Sequence, residues 1–427
     1  MQTVWVFLLV LCIFIIIFLN HDNSKYEESI QEVLDDDKEK FNTNIDQCVP
    51  NYTFYEQMLK GGRGNRKQKR TPLLLLAAYE YVDHVAVTIQ SDGWYGQDVY
   101  CRYLNKNFEE ISQPMRTKVF PEWTVMCCNR DNVSYMSITT KEDDDIVQHT
   151  KLLSRKPQDM KYELSVCLAP IYGNETKWLL LAETIEHFRI QRVDHFYLYI
   201  KDIDSYSRQL VDYYVQTGIA EAIYFENRQD RPRYEWHLTG VQDCLQRSKY
   251  ESRYAMFIDI DERIVTSKPN DLLQVTRNFF QDKKVGTVTF RPRWIFRNKP
   301  LPVKYEGEKT LRDHLPTLVF HNTTHVSPPG HTVKAILNPI AVLSMWIHWP
   351  MHMYPGFKDV GVPPAVGYIR HYRDVFSGDW GKKWMPETLK FGKLSSTDYP
   401  PSLMPRLFDN VKRHLDLTYG DTLPNGF

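Results

Sequence analysis

The chain has 427 residues, 42% of them hydrophobic, which suits two or three domains with real cores. Its 53 basic and 53 acidic residues cancel, which argues against a nucleic-acid partner, because a surface that tracks phosphates shows as a basic excess. Aromatic residues make up 13%, enough to offer faces for sugar rings as well as an ordinary core.

Residues 1–3 read as a cytosolic tail, and residues 4–19, VWVFLLVLCIFIIIFL, as an unbroken apolar segment. A cleaved signal peptide carries a basic start and small residues at its exit, whereas the exit here is Phe18-Leu19-Asn20-His21-Asp22. The segment is therefore expected to stay as a single-pass anchor, short but adequate for a thin secretory-pathway membrane. With the N-terminus inside, the arrangement is type II and everything after residue 20 is lumenal. Sequons at Asn51, Asn132, Asn174 and Asn322 agree with that compartment. So do the six cysteines beyond Cys12, namely Cys48, Cys101, Cys127, Cys128, Cys167 and Cys244, an even number suited to an oxidising lumen. They include no Cys-x-x-Cys pair, which argues against structural zinc.

Residues 20–72 form an acidic stem and then a basic, glycine-rich linker. Within the linker, Lys67-Gln68-Lys69-Arg70 is either an exposed loop or a proteolytic release site. Residues 73–160 carry short β-prone runs between turn residues and predict a small β-rich domain. Residues 161–427 alternate strand and helix, which predicts an α/β domain. Strands are expected at 164–171, 195–200, 220–225 and 286–291, and helices at 177–190, 209–216, 236–248 and 271–281.

The apolar run YAMFI at 254–258 ends abruptly in Asp259-Ile260-Asp261. On an extended strand, residues i and i+2 point to the same side, so Asp259 and Asp261 can reach one cation while Ile260 packs the other way. Two carboxylates at the end of a buried strand need a positive partner, and a hard divalent ion that also grips a diphosphate supplies one. The same short pattern recurs at Asp35, Asp143 and Asp202, so context must decide between them.

That context is a set of runs in a fixed order: Trp178 to Phe188, Val193 to Tyr199, Phe257 to Arg263, Lys334-Ala-Ile-Leu-Asn-Pro339, and Arg370-His-Tyr-Arg373. Behind an N-terminal anchor, they resemble the glycosyltransferase family 92 domain over roughly residues 160–415. The resemblance implies a GT-A nucleotide-sugar-binding domain with a mixed sheet, preceded here by the β-rich domain. It also implies a UDP-sugar donor and a divalent metal such as Mn2+ on Asp259 and Asp261. Since known members are animal β-galactosyltransferases, it implies inverting transfer of galactose from UDP-galactose to a glycan acceptor, such as core fucose of N-glycans, at the Golgi membrane.

GT-A metals commonly take another ligand from the C-terminal part, for which the chain offers His348, with His352 and His371 as rivals. Arg370 and Arg373 are candidates to grip diphosphate oxygens with their forked donors. Asp202, at the end of the 195–200 strand, competes as a carboxylate and is expected on the uracil or ribose, or else in a turn-forming role. For the catalytic base the expectation is Asp313, with Glu308 next. Trp294 and Trp346 are candidates for stacking on acceptor sugar, and Lys334 has no assigned role. Two other functions compete. A haloacid-dehalogenase-type phosphohydrolase would need Thr or Val where Arg263 stands, and a non-catalytic glycan-binding protein could keep the same fold.

Overall fold

The structure is a computed structural model describing residues 48–50, 52–61, 69–157, 159–226, 235–266, 271–375 and 380–420. The expected anchor at 4–19, the stem up to residue 47, Asn51 and residues 62–68 of the linker lie outside the described residues. Among the described residues no helix is long and apolar enough to cross a membrane. Residues 1–58 and 59–427 form two units; of the first, residues 48–50 and the start of helix α1 (Tyr52–Gly61) are described.

In the second unit, the β-prone runs become β1 (Leu75–Glu80), β2 (His84–Ile89), β3 (Asp98–Leu104), β4 (Met115–Lys118), β5 (Thr124–Cys128), β6 (Tyr135–Thr139) and β7 (Thr150–Ser154). They form one sheet in the order β4-β3-β6-β7-β1-β2-β5. A disulfide from Cys101 to Cys127 joins β3 to β5 inside its buried cluster.

The alternating half begins with β8 (Tyr162–Ile171), α2 (Trp178–Arg189), β9 (His195–Ile200), α3 (Ser205–Gln216), β10 (Ala220–Tyr224), α4 (Glu235–Ser248) and β11 (Ser252–Ile258). It continues with β12 (Glu262–Thr266), α5 (Leu272–Phe279), β13 (Val285–Phe290), β14 (Pro292–Arg297), α6 (Glu308–His314), α7 (Pro316–Val319), β15 (Asn322–Thr323) and β16 (Lys334–Leu337). Then come β17 (Val342–Met345), β18 (Pro350–Met353), β19 (Lys358–Gly361), β20 (Gly367–Asp374), α8 (Trp380–Lys383), α9 (Met385–Leu389), β21 (Ser395–Ser396) and α10 (Met404–Tyr419). The central sheet runs β10-β9-β8-β11-β16-β13-β19, and a further sheet runs β12-β20-β14-β15-β21. The class is therefore mixed α/β with large mixed sheets, as expected.

Strands β10, β9, β8 and β11 are mutually parallel, so their carboxyl ends share one edge. β9, HFYLYI, is buried throughout, the pattern of a parallel strand covered on both faces. Strand β16 runs antiparallel to β11, which brings its first residue, Lys334, to the edge where β11 ends. Helix α3 starts where the Asp204 carboxylate accepts the Ser207 N–H at 2.9 Å, and Gly218 follows it with φ +74°.

Helix α2 is buried on every side from Trp178 to Phe188, including Glu183, Glu186 and His187. Its apolar face packs on the sheet, and α10 covers the other side, with His414 3.5 Å from Glu186. Glu183 pairs with Arg263 at 2.8 Å, and both side chains are fully enclosed. Its second oxygen accepts from the N–H and hydroxyl of Thr317, so α2, β12 and α7 are pinned at one carboxylate. Removing one partner of such a pair strands the other charge, at about 3–5 kcal/mol. Glu183→Ala is expected to lower stability by that amount in urea unfolding; a loss below about 1 kcal/mol would contradict this role.

Candidate active site

Where β8, β9 and β11 end, the chain opens a cleft of about 670 Å³, a size common for small-molecule sites. Its wall includes Tyr172 after β8, Asp204 at the start of α3, His237 of α4, Asp259, Asp261, and Arg373 of β20. Ligands of open α/β sheets lie at this carboxyl edge.

The two aspartates do not stand side by side on an extended strand. β11 stops at Ile258, and the chain turns so that the Glu262 N–H reaches the Asp259 carbonyl at 3.1 Å. Ile260 is fixed in this turn through its carbonyl, which accepts from the Thr184 hydroxyl at 2.7 Å and from Arg263 at 2.9 Å. As a result the carboxylates meet different cations. Asp259 Oδ1 lies 2.8 Å from Nζ of buried Lys334. Asp261 has His371 Nε2 at 3.4 Å from Oδ1 and Arg373 Nη1 at 3.4 Å from Oδ2.

The electrostatics follow from this layout. Burial opposes ionisation of Asp261, but His371, Arg373 and Arg297 outweigh it and hold the carboxyl well below the usual range. At Asp259 burial is likewise overcome, chiefly by Lys334. Glu262, next in the chain, is almost completely buried; burial pushes it up to about 7, with Lys334 opposing and Asp259 adding to the rise. Burial also pushes His237 down to about 4, although Asp259 pulls the other way.

Arg373 reaches the cleft and lies over the Trp380 ring, 5.6 Å from its centroid. Arg370 does not. It is fully buried and spends its fork on the Thr397 hydroxyl at 3.0 Å and on the carbonyls of Thr397 and Asp398 at 2.8 and 2.9 Å. Alternation on β20 puts His371 and Arg373 on one face and Arg370 with Tyr372 on the other. His348 faces the Val333 carbonyl at 3.2 Å and does not line the cleft; burial drives it down to about 3. The histidine beside Asp261 is its rival, His371.

Asp202 is paired with Lys201 at 2.8 Å and is not on the cleft wall, whereas Asp204 is. Asp313 and Glu308 are also off the wall: they sit on the exposed face of α6 in i,i+4 pairs with Lys309 and Arg312. Trp294 is buried and stacks on His371, with centroids 4.2 Å apart, and Trp346 packs beside the β-rich sheet. The sequence reading passed over His237, Glu262, Arg297 and Asp374. Glu262 had a signal, as a third acid beside Asp261 at the start of a strand.

The family model for "Glycosyltransferase family 92" matches residues 162–404, which contain this whole cleft. The chain belongs to glycosyltransferase family 92. Within the family it is similar to "Beta-1,4-galactosyltransferase galt-1" of Caenorhabditis elegans, 27% identical over 261 residues, covering 58% of this chain and 57% of that one. It is also similar to "Glycosyltransferase family 92 protein F13G3.3" of the same worm, 23% identical over 245 residues, covering 55% and 46%. The chain thus spans about half the length of the curated relatives it matches. Likeness to solved structures is slight. The mannosyltransferase PcManGT of Pyrobaculum calidifontis, in complex with GDP-Man and Mn2+, aligns at TM-score 0.30 and 13% identity, covering 62% of this chain and 74% of that one. Glucosyl-3-phosphoglycerate synthase of Mycobacterium tuberculosis aligns at 0.26 and 10%, covering 62% and 81%.

The run Arg370-His-Tyr-Arg373 therefore divides its labour between interior and cleft. Arg370→Met is expected to lower stability on the order of 3 kcal/mol, because it leaves buried carbonyls without donors. Asp313→Asn is expected to leave the urea midpoint where it is. Equal midpoints for both variants would contradict the division.

Proposed function

We propose that this family 92 chain is a metal-dependent inverting glycosyltransferase that moves galactose from UDP-galactose to a glycan acceptor. The observation that carries the reading is Asp261 on the cleft wall at the carboxyl edge, paired with Arg373 on the same wall and with His371, which is buried and off the wall. A departing diphosphate needs positive charge at fixed positions, and Arg373, Arg297 and Lys304 supply it from the cleft wall.

The residues fit a divalent cation. Asp261 Oδ1 and His371 Nε2 are 3.4 Å apart, close to the spacing of two donors on one ion with bonds of about 2.1 Å. No group of three or more His, Cys, Asp or Glu that could hold a metal ion is found among the described residues, so an ion here would have to take its remaining ligands from substrate phosphates and water. When bound there, the cation supplies Lewis-acid stabilisation of the leaving diphosphate. Asp259, tied to Lys334, serves as a fixed part of the wall and not as an equal second ligand.

For the proton of the acceptor hydroxyl, Asp374 replaces Asp313 as the candidate base, because it lines the cleft next to Arg373. The galactose donor follows the named worm galactosyltransferase, and core fucose of N-glycans is one acceptor within this reading. Golgi residence behind a type II anchor is supported by the sequons and by the disulfides Cys101–Cys127 and Cys167–Cys244, which suit an oxidising lumen.

The test is turnover of a UDP-sugar panel by the full chain with Mn2+ or with chelator. Manganese-dependent use of UDP-galactose is expected. Asp261→Asn should reduce turnover at least about 100-fold, and Arg373→Met should weaken the donor about 10- to 100-fold, as for loss of a charged hydrogen bond. Full turnover in chelator would remove the metal from the reading, and glycan binding without turnover of any donor would favour a lectin-like protein.

A further inference from the structure

His371 carries two ring nitrogens, and the fold gives each a carboxylate. Nε2 faces Asp261 Oδ1 at 3.4 Å, and Nδ1 faces Glu262 Oε1 at 3.2 Å. Glu262 and His371 are directly opposed partners on the antiparallel strands β12 and β20, so the contact is set by register. Trp294, His371's neighbour on β14, stacks on the ring with an interplanar angle of 24° and fixes its plane. Glu262 is itself held. Its Oε2 accepts the Asp259 N–H at 2.9 Å and lies 3.5 Å from Lys334 Nζ. The Nδ1 contact is within ion-pair reach, but its direction is off line, so no aligned hydrogen bond forms at that buried nitrogen.

A histidine that ligates a metal through one nitrogen commonly donates the other N–H to a carboxylate, which fixes the tautomer and the ring's orientation. We propose that Glu262 is the positioning residue of the metal site: with a cation on Asp261, the 3.2 Å contact closes into a hydrogen bond in which Glu262 Oε1 accepts the Nδ1–H of His371, so that the bare Nε2 faces the cation. Lys334 has a matching part. By occupying Asp259 and the far oxygen of Glu262, it leaves Oε1 as the oxygen turned to His371. This rests on the proposed metal-dependent reading, and the experiment separates the two.

Glu262→Gln is the informative variant because it keeps the shape but not the symmetry of the group. The Asp259 N–H and the Lys334 ammonium both require an oxygen at the Oε2 position, so the amide must turn its NH2 toward Nδ1. That forces the proton onto Nε2 and blocks the ligand, whereas a packing role would tolerate the isostere. Mn2+ affinity of the full chain is measured from the free-Mn2+ resonance in the presence of UDP, with His371→Ala for reference. Wild type is expected to bind, and Glu262→Gln to bind about 10- to 100-fold more weakly. A second readout does not depend on the variant folding. Ring 15N shifts of His371 in the wild type, assigned with His371→Asn, should show Nδ1 protonated and Nε2 bare, and the opposite tautomer overturns the proposal. Wild-type binding with Glu262→Gln within about two-fold overturns it alone. No Mn2+ binding by the wild type removes the metal reading and this proposal with it.

Discussion

The arrangement at the cleft depends on the meeting of cations from two strands with three acids packed into four residues. Asp259, Asp261 and Glu262 occupy one turn, and the latter two are almost wholly buried. Carboxylates taken out of water carry a penalty of several kcal/mol each unless charge and hydrogen bonds answer them. Lys334 arrives on β16, while His371 and Arg373 arrive on one face of β20. Register decides these meetings: β16 begins where β11 ends, and Glu262 is paired directly with His371. The turn is held from below by Arg263, whose charge is answered by Glu183 of α2. The acidic turn thus sits in a frame of ion pairs that reaches from the core helix to the cleft.

Helix α4 connects this frame to the β-rich sheet. Its Asp243 accepts the hydroxyls of Tyr79 and Thr88 from β1 and β2, at 2.8 and 2.5 Å, and that of Tyr199 from β9 at 2.6 Å. Arg247, one turn on, supplies the cation at 3.1 Å. A Cβ placed on Gly240 would stand 2.8 Å from the Pro170 ring, so only glycine lets α4 lie this close to β8. A disulfide from Cys167 to Cys244 fixes the same approach. The start of α4 carries His237 to the cleft, so the β-rich sheet contributes to the site by seating the helix, without lining it.

The elements from 164 to 291 were legible because buried runs and helical spacing are local signals; α2 and β9 fall within a residue or two of expectation. The pairing of charges was not, because it depends on register between strands more than seventy residues apart. Asp259 and Asp261 show the difference. The i,i+2 rule holds on a strand, but the strand ended one residue earlier, and that ending is set by the tertiary ties of Ile260 and Glu262. Some of the rest could have been read. The spacing of Glu308 with Arg312 and Lys309 with Asp313 is that of a solvated helix face, and alternation alone separates Arg370 from Arg373.

If the cleft receives a nucleotide diphosphate, as proposed, it must not repel it with its own acids. Asp259 and Asp261 would do so if their charges were open, and a divalent ion shared between them is one remedy. The fold supplies another for half of the problem: Lys334, itself buried, neutralises Asp259 from the interior side of the cleft wall. On the proposed function, Asp261 would meet a cation arriving with the donor, beside its histidine neighbour and Arg373, whose guanidinium stands 3.4 Å from it on the cleft wall. On the proposed function, dividing the two acids between a permanent internal cation and an exchangeable one would make the site anionic enough to hold a metal yet neutral enough to admit a diphosphate.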